Sequence, residues 1–244
     1  MKFAAIADIH GNSAALAAVL ADIAASGIAD IVNLGDHVSG PLEPARTADM
    51  LMARGFPSNQ GDQDRILVEL DRSGGSKRAD LAQLERRHLD WMAAMPSTLL
   101  YRDEVLLCHG SPRDDAAFWL DCVTADGVVR PNTIEAIEAE AEGIGASLII
   151  CAHTHIPRVV RLRDGRMALN PGSVGLPGYG MLKPFPHTVE TGTPDACYAI
   201  VERSRGSWSV TIRYVPYDST AMAALAREKG MPLWANSIAT GWCG

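Results

Sequence analysis

The chain has 244 residues, of which 47% are hydrophobic and 21% charged, the composition of an ordinary globular protein large enough to bury a sizeable core. Its formal net charge is −7 and no run of Lys or Arg forms a stripe, which argues against a long nucleic acid as partner. No stretch approaches the roughly 20 apolar residues of a membrane span, and the apolar run at the N-terminus is too short for the core of a signal peptide.

The first 175 residues alternate short apolar runs with helical patterns, the signature of an α/β protein. Phe3–Ala7 reads as a buried strand, and Ser13–Ser26 as a helix stopped by Gly27. Asp30–Leu34 reads as the second strand, Ala45–Arg54 as the next helix, and Phe56–Asn59 as a weak third strand. Lys77–Ala94 has the spacing of a longer amphipathic helix, ended before Pro96. Val105–Cys108 is a strand, Asn132–Glu142 an acidic helix, and Leu148–Ala152 the most apolar strand of all. Val159–Leu162 and Arg166–Leu169 flank Asp164-Gly165, a hairpin signal. Ala196–Glu202 and Ser209–Val215 read as two strands joined through Gly206, followed by helical patterns at Thr220–Lys229 and Leu233–Thr240. Two long segments, Ser111–Val129 and Gly175–Pro194, show no clear periodicity and are read as functional covers rather than connectors. The five cysteines, at 108, 122, 151, 197 and 243, are odd in number and irregularly spaced, which opposes a disulfide framework and leads to the expectation of a cytoplasmic protein.

The chemistry is signalled by position. Apolar strands repeatedly end in a residue of metal-ligand type: Ala7 leads to Asp8, Leu34-Gly35 to Asp36, Cys108 to His109, and Ala152 to His153. In open α/β sheets the carboxyl ends of strands gather at one edge, where ligands bind. Asp8-Ile9-His10 and His153-Thr154-His155 each place two donors two residues apart, so both can face one side of an extended segment. Oxygen and nitrogen donors without thiolate suit zinc, manganese or iron and oppose a Cys-rich structural site. The donors exceed what one ion needs, and a pair of ions roughly 3.5–4 Å apart is the known arrangement for phosphoester hydrolysis. A bound cation would also reconcile a small phosphorylated substrate with the acidic chain. A lone His is more often a surface or satisfied core residue, and His88 and His187 are placed in that class.

At these residues the sequence resembles the calcineurin-like metallophosphoesterase superfamily, and within it the small bacterial phosphodiesterase branch. The resemblance rests on ordered motifs: Asp8-Ile9-His10-Gly11-Asn12, Gly35-Asp36, Gly61-Asp62-Gln63-Asp64-Arg65, His109-Gly110, Ala152-His153-Thr154-His155 and Asn170-Pro171-Gly172-Ser173. It implies an α/β fold, a four-layer αββα sandwich of two mixed β-sheets flanked by helices. The expectation is one domain over residues 1–244, its C-terminal strands and helices completing the sandwich. It also implies two divalent ions, with Mn, Zn, Fe and Ni as candidates. Asp8, His10 and His155 would hold the first ion, Asp62, His109 and His153 the second, and Asp36 would bridge them. Asn12 and Arg65 are the candidate phosphate contacts, Arg because its planar fork suits phosphoryl oxygens.

The third motif departs from the family's Gly-Asn-His-Asp at two positions. Asp62 remains an oxygen ligand in place of Asn, and Asn59 is a remote alternative to it. Gln63 stands where the family has a His assigned to stabilising the transition state or protonating the leaving group, and a Gln amide cannot give up a proton near neutral pH. Activity biased toward acidic leaving groups is therefore expected, with His37 as a substitute catalytic acid. The expected reaction is metal-dependent hydrolysis of small phosphodiesters by a hydroxide held at the dinuclear centre. The alternatives are a phosphomonoesterase or protein phosphatase, and a catalytically weak metal-binding interaction module, which Gln63 favours. Tyr179, Lys183 and His187 in the second long segment are expected to cover the site. Trp234 and Trp242 are read as ordinary core, with a partner surface as the other reading.

Overall fold

The computed structural model describes residues 1–74 and 78–244. The chain begins with strand β1 (Lys2–Ile6), helix α1 (Ser13–Ala25), β2 (Ile31–Asn33), α2 (Pro44–Met52) and α3 (Asp62–Arg72). A 3-10 turn (Leu81–Gln83) then precedes α4 (Arg86–Ala93), β3 (Leu99–Tyr101), β4 (Val105–Leu107), β5 (Asp121–Val123) and β6 (Val129–Pro131). Next come α5 (Ile134–Glu140), β7 (Leu148–Ile150), β8 (Arg158–Arg161), β9 (Met167–Asn170), β10 (Gly178–Met181) and β11 (His187–Glu190). The chain closes with β12 (Ala196–Ser204), β13 (Ser207–Val215), α6 (Thr220–Glu228) and α7 (Pro232–Thr240).

Two mixed sheets carry the fold. One has the order β13-β12-β1-β2 and the other β3-β4-β7-β9-β8. Strand alternation sets the layers: Phe3, Ala5 and Ala7 of the first sheet meet Val105, Leu107, Leu148 and Ile150 of the second in one buried cluster. The residues between them turn outward. Ala4 and Ile6 pack against Leu16, Val19 and Ile23 of α1, while Ile149, Cys151 and Ala168 pack against Ile137 of α5. Helix, sheet, sheet, helix is thus the four-layer sandwich, built from a period of two in each buried strand.

Parallel pairing of β1 with β2, and of β7 with β4 and β9, brings the carboxyl ends of these strands to a common edge. The loops leaving that edge are zipped together by backbone bonds. Asp8 N–H donates to Gly35 O (3.1 Å) and His10 N–H to Asp36 O (3.0 Å), while Gly175 N–H donates to Asp8 O (3.0 Å).

Several elements differ from their sequence expectation. Lys77–Ala94 is not one helix: Lys77 lies outside the described residues, and Glu85 adopts an extended conformation that starts α4 afresh. Its N–H is accepted by His88 Nδ1 at 3.0 Å, a local cap that outcompetes helix continuation. Phe56–Asn59 forms only an isolated bridge, Asn33 to Ser58. Helix α3 went unread because its apolar face is narrow and two of its buried positions are Asp62 and Asp64. The two long segments contain short antiparallel pairs, β5–β6 and β10–β11, whose three- and four-residue strands are too brief to show periodicity. Trp242 is 52% exposed rather than core. Among the described residues no helix is long and apolar enough to cross a membrane.

Candidate metal centre

The seven donors singled out in the sequence converge on the common strand edge. Asp8, His10 and His155 offer three donor atoms within 4.8 Å of one another, as do Asp62, His109 and His153, and as do Asp8, Asp36 and His109. All seven side chains are buried. Five of them, Asp8, His10, Asp36, His153 and His155, have φ between 50° and 67°. This left-handed conformation costs roughly 1–2 kcal/mol per L-residue, though Asp and His tolerate it better than most. Its concentration in one cluster marks a site that the rest of the fold holds in place.

The imidazoles are oriented from behind. His109 Nδ1 lies 2.7 Å from Leu34 O and His155 Nδ1 2.6 Å from Leu176 O, so each donates there and turns an Nε2 lone pair inward. His109 Nε2 then faces three carboxylates, Asp62 at 3.2 Å, Asp36 at 3.4 Å and Asp8 at 3.8 Å. His10 Nδ1 is engaged by Ser39 Oγ at 2.9 Å, and its Nε2 stands 3.2 Å from that of His155. His153 presents Nδ1, 3.1 Å from Asp62 Oδ1.

The electrostatics calls for a cation. Burial pushes the Asp8 carboxyl well above the usual carboxylate range, with Asp36 and Asp62 adding to the rise and His109 opposing it. Burial also pushes His10 and His155 down, and the second is lowered further by the first. At His109 burial is outweighed by the neighbouring Asp36, Asp62 and Asp8, so it rises well above an ordinary imidazole. At Asp62 the rise expected from burial is overcome by the facing imidazoles of His109 and His153, which hold it below the usual range. Both carboxylate oxygens of Asp8 and Nε2 of His109 are buried with no hydrogen-bond partner. Inward-facing lone pairs, unpartnered buried oxygens and an all-N/O donor set fit a divalent cation.

Asp64, to which its motif alone assigns no role, ties the site together. Its carboxylate accepts from Gly61 N–H (3.0 Å), Asp36 N–H (2.9 Å) and His37 N–H (3.0 Å), and from His37 Nδ1 (2.7 Å). Burial alone would raise its pKa, but the charge and hydrogen bond of His37 and the backbone donors keep it below the usual range. Around this carboxylate the loops approach so closely that only glycine fits at position 61, where a Cβ would lie 2.2 Å from Asp36 Oδ1 and 2.4 Å from Asp36 N. Gly61→Ala is expected to displace Asp36, lowering turnover by about 10²-fold, the usual effect of an ångström-scale misplacement, and stability by about 1–3 kcal/mol. Steady-state kinetics and thermal melting check this, and an unperturbed kcat would show that the carboxylate position is not critical.

Three candidates fall outside the cleft. His37 is fully buried against Trp91 and Asp64, where it supports the Asp36 loop and cannot reach a substrate as an acid. Asn12 is also fully buried, caps α1 through Ala15 N–H and donates to Gly175 O and Tyr217 Oη. Arg65 forms a two-pronged pair with Asp115 (2.6 and 2.9 Å), which occupies the fork expected to hold phosphate. Asn59 is buried and donates to Leu34 O, so Asp62 is the residue presented to the cluster. His88 is spent on its helix cap and on Asp49.

A cleft of about 260 Å³ opens over the cluster. His10, Asp36, Asp62, Gln63, His153 and His155 form its polar floor, with Arg78 at one side. Gln63 Nε2 donates to Asp62 Oδ2 (2.7 Å), and its Oε1 lies 3.5 Å from Arg78 Nη1. Of the proposed covering residues, Tyr179 lines this cleft, whereas Lys183 lines a neighbouring one and His187 is buried against Phe118. Trp234 lines the cleft as well, and nothing near Arg78 in sequence marks it as a cleft residue.

The structure of a metallophosphoesterase from Sphaerobacter thermophilus matches with a TM-score of 0.75 and 24% identity, covering 99% of this chain and 100% of that one. Yfce, a phosphoesterase from E. coli, matches with a TM-score of 0.45 and 20% identity, covering 88% of this chain and 100% of that one. No curated protein matches in sequence. The family model of the calcineurin-like phosphoesterase superfamily domain matches residues 1–192, which include every residue of the cluster. The chain belongs to the calcineurin-like phosphoesterase superfamily, a family of metal-dependent hydrolases of phosphate esters.

Proposed function

We propose that this protein hydrolyses small phosphodiesters at a dinuclear centre held by Asp8, His10 and His155 on one side and Asp62, His109 and His153 on the other. The observation that carries this reading is the placement of Asp36 between the two groups. Its Oδ2 lies 3.6 Å from His10 Nε2 and its Oδ1 3.4 Å from His109 Nε2, the disposition of a bridging carboxylate. Bound there, divalent ions would lower the pKa of a coordinated water and offset charge on the phosphoryl oxygens.

The remaining roles belong to the chain. The carbonyls of Leu34 and Leu176 engage Nδ1 of His109 and His155, so Nε2 is the nitrogen each would offer to a cation. Asp64 holds Asp36 and Gly61 in register. Gln63 offers an amide hydrogen bond at the cleft but no proton, so the departing group must leave largely as its anion. Diesters with acidic leaving groups suit that floor. Arg78, held by Asp80 through Nε and Nη2, turns Nη1 toward the Gln63 side-chain oxygen at the cleft.

The reading is tested by hydrolysis of bis-p-nitrophenyl phosphate with metal-stripped protein, restoring Mn²⁺, Zn²⁺, Ni²⁺ or Mg²⁺ singly. Turnover that returns with an ion, and is absent in Asp8→Ala, supports it. A protein that binds two ions yet turns over no ester with any of them is instead the interaction module that Gln63 favours.

A further inference from the structure

The cleft has a second wall that the hydrolytic reading does not use. Beside the Asp and His donors stand Leu176, Tyr179 and Met181, joined by Met231 and Trp234 from the start of α7. Met231 and Trp234 lie beyond residue 192, outside the segment matched by the family model. The C-terminal helices thus bring apolar side chains to a catalytic edge built by the strands.

Both aromatic rings are held against the candidate ligands. The Trp234 ring stands edge-on to His10, with centroids 5.7 Å apart and planes at 89°. Its far side rests on Gly40, where a Cβ would come within 2.3 Å of the ring, so backbone without a side chain leaves the space the indole fills. The Tyr179 ring stands 4.6 Å from that of His155 at 65°, and its hydroxyl donates to His153 O at 3.4 Å. At the rim Met181 is 37% and Met231 40% exposed, two flexible thioethers able to mould around an apolar group. Arg78, the one Lys or Arg among the described residues lining the cleft, also lines a neighbouring pocket together with Met231 and Gly40. It is positioned by Asp80 (3.0 and 2.6 Å), whose carboxylate also accepts from Gly40 N–H at 3.0 Å.

We propose that the C-terminal helix α7 completes a subsite for the organic group of the substrate, and that this group is a small aromatic ring seated on Trp234 with its phosphoryl end toward Asp36 and Arg78. The volume argues for one ring. At about 260 Å³ the cleft lies near the lower edge of the ~300–1,000 Å³ of small-molecule sites, a space that a phosphoryl group and one ring system would fill. The position of the ring beside the floor rests on the hydrolytic reading for its direction.

Phenylphosphonate and methylphosphonate test this, because their C–P bond resists hydrolysis and binding is read without turnover. Each is titrated calorimetrically into the wild type in excess Mn²⁺, and into Trp234→Ala, Met231→Ala and Arg78→Ala. The wild type is expected to bind phenylphosphonate about tenfold or more tightly than methylphosphonate, the effect of burying one ring. Trp234→Ala brings that ratio near one, Met231→Ala lowers it partway, and Arg78→Ala weakens both probes by a common factor. Met231 is exposed at the rim, so its variant keeps the test sound if loss of Trp234 loosens α7. Equal affinities in the wild type, an unchanged ratio in both the Trp234 and Met231 variants, or no binding of either probe would overturn the proposal. A strong phenyl preference in a protein without esterase activity would uphold the subsite and reject the hydrolytic reading, so the two fail separately.

Discussion

Asp36→Ala is expected to lower metal-dependent diester hydrolysis by about 10³-fold or more, because it removes the carboxylate shared by both donor groups. The companion substitution Asp36→Asn separates function from folding. It keeps an oxygen to accept from Gln63 N–H, bonded at 3.0 Å in the wild type, and removes one negative charge beside Asp8 and Asp62. Stripped of metal, Asp36→Asn should therefore melt close to the stripped wild type, since relief of repulsion with Asp8 and Asp62 offsets the lost attraction to His109. With an ion at about 1,000 times its Kd, the wild type gains about 4 kcal/mol. For a chain of this size that is about 10 °C. The variant should gain less than half as much. Melting curves with and without Mn²⁺ decide this. A metal-free variant several degrees less stable than the metal-free wild type would make Asp36 a folding residue, not one retained for function at the expense of stability.

Gln63→His should raise hydrolysis of diesters with alkyl leaving groups by about 10²-fold, at the low end of what general acid catalysis supplies. The low end is expected because Arg78 Nη1 lies 3.5 Å from Gln63 Oε1 and would disfavour a protonated imidazole there. For p-nitrophenyl esters the gain should be small, since that leaving group departs without a proton. Comparing kcat/KM across a leaving-group series in both proteins checks the point. A wild type indifferent to leaving-group acidity already has an acid. With His37 enclosed by Asp64 and Trp91, it would have to come from elsewhere in the cleft.

The sheets and the donor cluster were legible because both write themselves into local sequence. Phe3–Ala7 and Leu148–Ala152 are continuous apolar runs, and each delivers its donor at the next residue, Asp8 and His153. What escaped reading depends on distant partners. The role of Asp64 is visible only when the loops at 36 and 61 meet, and Arg78 reaches the cleft across a turn with no periodic signal. Asn12 and Arg65 adjoin functional motifs, yet Tyr217 and Asp115, far away in sequence, claim their polar atoms. Helix α3 hid because its first turn buries two carboxylates, so its core face does not look apolar. Trp234 read as core since a large aromatic on an amphipathic helix usually is. Only the packing of α7 beside β10 turns it toward the cleft.

The most direct test of the two-ion centre is the metal content of the protein after stripping, incubation with excess Mn²⁺ or Zn²⁺, and desalting, measured by mass spectrometry for the wild type, His155→Ala and His153→Ala. Two ions per wild-type chain and a loss of about one in each variant are expected, since His155 belongs to one donor group and His153 to the other. Substoichiometric metal in the wild type, or two ions retained in both variants, would contradict the two-ion centre.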